Sequence, residues 1–158
     1  MKKLLVGGFL TLVLIGCSTR PPAEHEIKQV PEARIFNHQA KLDNNATLVF
    51  IWDKGLTGSG CYINLFLNGQ EVAKFETKER ATFYLPAGEV IIGASIQGHG
   101  LCSFNAPRRE RDFNLNNNEK KIFRLFIDQN GNTDIIPTTL YQWFKSLKRT
   151  CIAGSFIS

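Results

Sequence analysis

The sequence lacks the short patterns that mark the commonest catalytic and metal-binding sites. Its four cysteines include no Cys-x-x-Cys pair, the usual spacing of a structural zinc site. The glycine-rich run 55–60 has neither the Lys-Ser/Thr ending of a phosphate-binding loop nor the Gly-x-Ser-x-Gly pattern of a hydrolase nucleophile. The carboxylates are scattered among charged positions, with no pair arranged for acid–base chemistry. We therefore expect a protein that is not an enzyme and that needs no metal or cofactor.

The chain also has only a small excess of positive charge. The formal net charge is +5, and Lys2 and Lys3 supply two of those charges within a segment that we expect to be removed. The remaining surplus is too small to predict a nucleic-acid partner. It allows a mild attraction to anionic lipid or cell-wall polymers.

The N-terminal apolar run is too short for a transmembrane helix, which takes ~20 residues. It extends from Leu4 to Ile15 and follows the positive start Met1-Lys2-Lys3. This order is typical of a secretory signal peptide. The stretch Leu14-Ile15-Gly16-Cys17 resembles the lipobox, at which bacteria acylate the cysteine and cleave before it. We therefore expect residues 1–16 to be removed and Cys17 to anchor the mature chain in a lipid bilayer.

The residue after the lipobox indicates the destination. In bacterial lipoproteins an aspartate at this position commonly retains the protein at the inner membrane, and this chain has Ser18 instead. Ser18 therefore resembles an outer-membrane signal. Several acyl chains on one residue hold a protein durably without spanning the membrane. We expect a cell-envelope protein, lipid-anchored to the outer membrane and facing the periplasm.

Composition divides the mature chain into three parts. Residues 17–40 are polar and carry Pro21, Pro22 and Pro31, a composition that predicts the lipidated cysteine followed by a tether. Residues 41–138 have the length of one domain with a single core. Residues 139–158 form a tail, in which Leu140, Trp143, Phe144 and Leu147 have the spacing of an amphipathic helix.

The middle of the chain has the pattern of β-structure almost throughout. Short apolar or alternating runs are separated by turn residues, and Asn68-Gly69 is a strong hairpin signal. We expect an all-β fold, an antiparallel β-sandwich of about seven strands, with a cleaved N-terminal signal helix and a short C-terminal helix. The runs that predict strands are 48–52, 62–67, 71–75, 81–85, 89–96, 113–115, 121–127 and 133–136.

Three segments carry a resemblance to a known family. They are Gly58-Ser59-Gly60-Cys61, the stretch from Leu67 to Ala73, and Tyr84-Leu85-Pro86-Ala87-Gly88-Glu89. Together they resemble small bacterial lipoproteins of unknown function with a DUF2846-like or PEGA-like β-sandwich domain, over roughly residues 48–138. The resemblance implies a fold and an envelope location, and it implies no activity.

Three cysteines remain once Cys17 is acylated, and export exposes them to an oxidising compartment. Cys61 and Cys102 both lie where a loop meets a strand, so we expect a disulfide between them. Cys151 is then the odd cysteine, either a buried or free thiol or half of an intermolecular link. His99 lies close to Cys102 in sequence, but we interpret it as a loop residue and not as a metal ligand.

Two groups of basic residues are candidates for surface binding. Arg108, Arg109 and Arg111 lie at the entrance to a predicted strand, where charges also discourage pairing with other sheets. Lys145, Lys148 and Arg149 flank the apolar stripe of the tail. That stripe either packs on the domain or faces a membrane or partner.

These observations favour a non-catalytic envelope lipoprotein whose β-domain binds or braces a component at the periplasmic face of the outer membrane. The component is an envelope protein or an anionic envelope polymer. The alternative is an inhibitor or immunity-type lipoprotein that blocks an enzyme.

The lipobox generates the first prediction. The substitution Cys17→Ser removes the thiolate that receives the lipid, so uncleaved precursor should accumulate and fatty-acid labelling of the protein should disappear. Metabolic labelling and intact mass measure both effects. A Cys17→Ser protein that still matures and carries label would show that the lipobox interpretation is wrong.

Overall fold

Two β-sheets pack face to face in the computed structural model, which describes residues 19–55, 60–98, 102 and 107–141. The expected all-β sandwich is confirmed. The strands of this part of the chain are β1 (Lys28–Gln29), β2 (Ala46–Trp52), β3 (Tyr62–Leu67), β4 (Gln70–Phe75), β5 (Glu79–Leu85), β6 (Gly88–Gln97), β7 (Arg109–Leu115), β8 (Lys120–Ile127) and β9 (Thr133–Pro137).

The strands divide into a five-stranded sheet with the order β1-β5-β2-β8-β9 and a four-stranded sheet with the order β4-β3-β6-β7. The predicted hairpin turn joins β3 to β4, and both of its residues have positive φ, 49° at Asn68 and 80° at Gly69. A two-residue hairpin turn of this kind matches the natural twist of the strands it connects.

The expectation of a purely antiparallel sandwich of about seven strands is corrected at two pairings. Strand β2 runs parallel to β8, and β1 runs parallel to β5. In chain order the whole four-stranded sheet lies between β2 and β8, so no tight turn forces them into opposite directions. Strand β1 has only two residues, which is too short to show a strand pattern in the sequence.

Strand β2 is the centre of the five-stranded sheet and is buried on both faces. Its inward residues enter the core between the sheets, while Val49 and Ile51 point outward. On that outer side they pack with Ile122 of β8, and Ile27 and Tyr141 cover them. Because both faces of β2 are buried, its sequence is a continuous apolar run and not an alternation of apolar and polar residues.

Aromatic side chains connect the two sheets through the core. The rings of Phe50 and Phe123, on neighbouring strands of the five-stranded sheet, stack with centroids 5.1 Å apart. Phe113 of the four-stranded sheet meets Phe123 edge-on at 4.9 Å. Such contacts stabilise a pair beyond the burial of its area, by roughly 0.5–1.5 kcal/mol.

Residues 19–38 form what we call the N-terminal strap, which corrects the expectation of a polar tether. The strap lies along the domain and joins both sheets. The Val30 N–H donates to the carbonyl of Arg80 on β5, and the Phe36 N–H donates to the carbonyl of Val72 on β4, each at 2.9 Å. The strap attaches to the open edges of two sheets mainly through backbone hydrogen bonds. Such an attachment needs few apolar side chains, which explains why the segment is polar in composition.

A buried ion pair fixes the middle of the strap. The Arg34 guanidinium donates two hydrogen bonds to the Glu79 carboxylate, at 2.8 and 2.6 Å, and a third to the carbonyl of Lys74 at 3.2 Å. Glu79 is only 6% exposed and also accepts the Glu76 N–H at 2.7 Å. The pair links β4 to β5, and therefore one sheet to the other, through a single guanidinium.

The chain termini lie mostly outside the described residues. The predicted signal helix, Cys17 and the tail beyond Tyr141 belong to this remainder. Tyr141 itself covers the outer side of β2 and donates a hydrogen bond to the carbonyl of Pro22 at 3.0 Å. Burial, and next the charge of Asp53, raise the pKa of Tyr141 to about 12, so the phenol remains a donor throughout the physiological range.

The Arg34–Glu79 pair generates the second prediction. The substitution Arg34→Ala leaves a buried carboxylate without its partner and should destabilise the unlipidated domain by about 3 kcal/mol. Urea unfolding of the chain from residue 18 onward measures the loss. The double variant Arg34→Met/Glu79→Leu should recover much of it, because no unpaired charge remains.

Arg111→Ala is the matched control for Arg34→Ala. It also removes an arginine from an ion pair, but the Arg111 side chain is 49% exposed. Its loss should cost less than about 1 kcal/mol. Equal losses from the two variants would show that the strap does not depend on the buried pair.

Candidate functional site

The predicted disulfide is confirmed. Cys61 and Cys102 are bonded, with 5.6 Å between their Cα atoms, and they stand 41 positions apart in sequence. Cross-linking a loop of this length stabilises the fold by roughly 4 kcal/mol in the chain-entropy model. Gly98 packs against the bond, since a Cβ at this position would lie 2.7 Å from the Cβ of Cys102. The bridge thus joins the start of β3 to the chain that follows β6.

The other predicted site residues on the termini lie outside the described part of the chain. These are the lipidation site and the basic residues of the tail, namely Cys17, Lys145, Lys148 and Arg149. The odd cysteine Cys151 and the loop residue His99 also fall there. Their predicted roles stay predictions.

The three arginines near β7 do not form one basic patch, because the strand places them on opposite faces. Arg111 points toward the neighbouring β9 and binds Asp134 with two hydrogen bonds, at 2.8 and 2.7 Å. Arg109 lies two positions before Arg111 and therefore on the same face of the strand, and its charge helps to lower the pKa of Asp134. Arg108 lies on the opposite face, where it forms an ion pair with Glu110 at 2.7 Å. Two of the three cations are therefore neutralised by a carboxylate partner.

The outer face of the four-stranded sheet holds a cluster of polar and aromatic side chains that the sequence analysis did not single out. On β3 the inward residues alternate with Tyr62, Asn64 and Phe66, which point outward. Asn64 is 1% exposed, and its amide donates to Glu71 at 3.0 Å and to Gln97 at 2.8 Å. Its carbonyl oxygen Oδ1 is buried and accepts no hydrogen bond from protein groups.

Cation–π contacts extend this cluster along β3 in both directions. The Arg108 guanidinium lies 4.6 Å from the centre of the Phe66 ring, and Arg34 lies 5.5 Å from that of Tyr62. A Cβ at Gly93 would lie 3.2 Å from Phe66 and 3.3 Å from Arg108, so glycine leaves room for this stacking. We call the cluster the outer polar face. Its members are Tyr62, Asn64, Phe66, Glu71, Lys74, Gln97, Arg108 and Glu110.

The outer polar face combines hydrogen-bonding, charged and aromatic groups. It offers amide, guanidinium and ammonium donors, carboxylate and amide acceptors, and two aromatic rings held in position by cations. The formal charges of Glu71, Lys74, Arg108 and Glu110 balance. In the sequence, the alternation of Tyr, Asn and Phe with Ile and Leu along β3 indicates that these three side chains share one face. Only the sheet order shows that side chains of β4, β6 and β7 lie beside them.

A second buried ion pair lies where β2 ends and has a structural role. The Arg124 guanidinium binds the fully buried Asp53 carboxylate through two hydrogen bonds. Burial raises the pKa of Asp53, while the hydrogen bond from Arg124 opposes that effect. The sequence analysis missed this pair, because the two residues stand 71 positions apart.

Within the described ranges, no three His, Cys, Asp or Glu side chains come together in a group suited to a metal ion. Among the same residues, no helix has the length and apolar character needed to cross a membrane. Neither the models of known protein families nor the curated proteins include a match to this chain. The class of protein that the structure defines is a disulfide-bonded β-sandwich with a cluster of polar and aromatic side chains on the outer face of one sheet.

The Arg111–Asp134 pair generates the third prediction. The hydrogen bond from Arg111 lowers the pKa of Asp134 below its usual range. Because the folded pKa lies below the unfolded value of about 3.9, the pair stabilises the domain above about pH 4 and loses this contribution as the pH falls through the folded pKa. Arg111→Ala should therefore raise the Asp134 pKa in an NMR titration of the carboxyl carbon.

Arg108→Ala serves as the control in the same titration. Arg108 lies on the other face of the sheet, so its removal should leave the Asp134 pKa unchanged. A rise of equal size in both variants would contradict the assignment of the arginines to opposite faces.

Proposed function

We propose that this chain is an envelope lipoprotein that binds a partner protein without catalysing a reaction. In this proposal Cys17 carries the lipid, the outer membrane holds the anchor and the domain faces the periplasm. The likeness to the DUF2846-like or PEGA-like lipoproteins is part of the same proposal, and the β-sandwich fold is consistent with it.

The Cys61–Cys102 disulfide is the observation that carries the proposal. Disulfides form and persist in oxidising compartments and are rare in the bacterial cytosol. A buried bridge in a chain that starts with a signal-like segment and a lipobox is consistent with export. Two independent features, one from the sequence and one from the tertiary structure, thus support the same location.

The balance of charge on the outer polar face favours a protein partner over an anionic polymer. A polymer of phosphates or carboxylates is recognised by unpaired cations, since each contact depends on an excess of positive charge. Here Arg108 is paired with Glu110, and Lys74 lies 3.7 Å from Glu71. A protein surface offers charges of both signs and fits such a face.

The order and the residue types of this face support it as the binding site. Asn64 is 1% exposed, and its amide holds Glu71 and Gln97 in position, so it orders the face from beneath. Tyrosine and arginine beside it are residue types over-represented where binding energy concentrates.

The fourth prediction tests this surface by affinity capture. The tagged lipoprotein is cross-linked in intact cells and recovered from membranes, and bound proteins are quantified by mass spectrometry. The wild-type chain should recover a defined envelope protein. The double variant Arg108→Ala/Glu110→Ala should recover at least about tenfold less of it, the loss expected at an energetic centre of an interface.

Arg111→Ala again provides the matched control. It removes an arginine three positions after Arg108 and on the opposite face of the sheet, and it should recover the partner as the wild type does. Equal capture by all variants would exclude the outer polar face. Recovery of wall polymer in place of a protein would refute the choice of partner. Capture of a single enzyme whose activity the lipoprotein blocks would favour the inhibitor or immunity-type alternative.

A further inference from the structure

The first residue that the structure describes is already locked into the fold. Thr19 is 8% exposed, and its hydroxyl accepts the Ile127 N–H at 3.0 Å and donates to the Ile127 carbonyl at 3.3 Å. The Thr19 backbone N–H reaches the same carbonyl at 3.5 Å. One residue thus satisfies both backbone groups at the end of β8.

The residues that follow reinforce this attachment. Arg20 and Lys54 exchange two backbone hydrogen bonds, each of 2.8 Å, as a short antiparallel bridge. Gly55 packs against Thr19 so closely that a Cβ there would lie 3.0 Å from the threonine methyl group. We call residues 19–20, with their contacts to Lys54, Gly55 and Ile127, the N-terminal clamp.

The clamp lies at one end of the sandwich. Strands β2 and β8 both end there, and the disulfide lies at the same end because β3 begins there. The turn 128–132 and the turn 76–78 belong to this end as well, since the Lys78 N–H donates to the carbonyl of Trp52 at 3.1 Å. The turns 68–69, 86–88 and 116–119 lie at the opposite end, which we call the hairpin end.

The covalent distance from the clamp to Cys17 is very short. Two virtual bonds of about 3.8 Å separate the Cα atoms of Cys17 and Thr19, so these atoms lie within about 8 Å of each other in any conformation. A flexible tether of twenty residues would allow a domain to take every orientation above a membrane. Because the strap from Thr19 onward is folded onto the domain, it does not act as a tether between the domain and Cys17.

We propose that the clamp end of the sandwich lies against the lipid bilayer and that the hairpin end points away from it. This inference rests on the proposed lipidation of Cys17. The surface involved is the clamp with the adjoining turn 128–132, and the partner is a bilayer containing anionic lipid. Arg20 is exposed beside the anchor, where a basic side chain is attracted to anionic headgroups.

This orientation has a consequence for the outer polar face. Strand β3 starts at the clamp end and runs toward the hairpin end, so the face stands upright on the membrane. A partner would therefore approach from the side, within the layer next to the bilayer.

The test measures which end of the domain is close to lipid headgroups. A tryptophan is introduced at the clamp end (Asn130→Trp) or at the hairpin end (Asn117→Trp), both at exposed positions. The lipoprotein is reconstituted in phosphatidylethanolamine and phosphatidylglycerol vesicles that contain a headgroup spin-labelled lipid. The native tryptophans contribute the same background to both variants. Quenching of the added tryptophan should be several-fold stronger at position 130 than at position 117.

A linker variant is the matched control. Insertion of twelve Gly and Ser residues between Ser18 and Thr19 keeps the anchor but allows roughly 20 Å of free reach. The quenching at position 130 should then fall to that at position 117. Equal quenching at both positions without the linker, or no change on adding it, would overturn the proposal.

A second sample separates this inference from the proposed function. In the chain from Cys17 onward with Cys151→Ser, a diacyl maleimide lipid is attached chemically to Cys17, the one thiol left outside the disulfide. If intact mass shows no acyl group on the protein from cells, the proposed lipid anchor fails. The quenching pattern of the chemically anchored sample still decides the orientation.

Discussion

The Arg34–Glu79 ion pair is the contact on which the arrangement of the two sheets depends along one edge. Glu79 begins β5 in the five-stranded sheet, and the guanidinium that binds it also binds a carbonyl of β4 in the four-stranded sheet. A carboxylate buried to this degree is stable only with its charge and its oxygens satisfied. The strap must therefore follow the path that brings Arg34 to this position. Backbone bonds on both sides of it then close the edges of both sheets.

The opposite edge of the sandwich is closed in a weaker way. There β7 and β9 approach each other, and the exposed Arg111–Asp134 pair connects them. Exposed pairs contribute little because water already solvates both partners and salt screens their attraction. The domain is thus strongly connected along the strap edge and more loosely connected along the β7–β9 edge. The clamp at the first residues of the strap and the buried ion pair farther along it both fix the strap to the domain.

The folded strap bears directly on the proposed lipid anchor. A flexible tether would let the domain rotate freely above the membrane, so that all of its faces would be equally accessible. If Cys17 carries the proposed lipid, the packed strap holds the domain close to that lipid, with the disulfide end nearest to the anchor. Recognition through the outer polar face would then take place at a defined height and angle. Rigid placement of this kind lowers the entropy that a partner loses on binding.

Local sequence patterns determined strands β2 to β9, the hairpin turn at Asn68-Gly69 and the pairing of Cys61 with Cys102. These features depend on neighbours in the chain, or on the few cysteines that an oxidising compartment allows to pair. Tertiary structure alone decided the path of the strap, the parallel pairing of β2 with β8 and the faces on which the β7 arginines lie. The reason is sequence distance: Arg34 meets Glu79 across 45 positions and Thr19 meets Ile127 across 108. A polar segment that bonds to open sheet edges has the same composition as a flexible tether. The two can be told apart only when the tertiary structure shows whether open edges lie within reach of the segment.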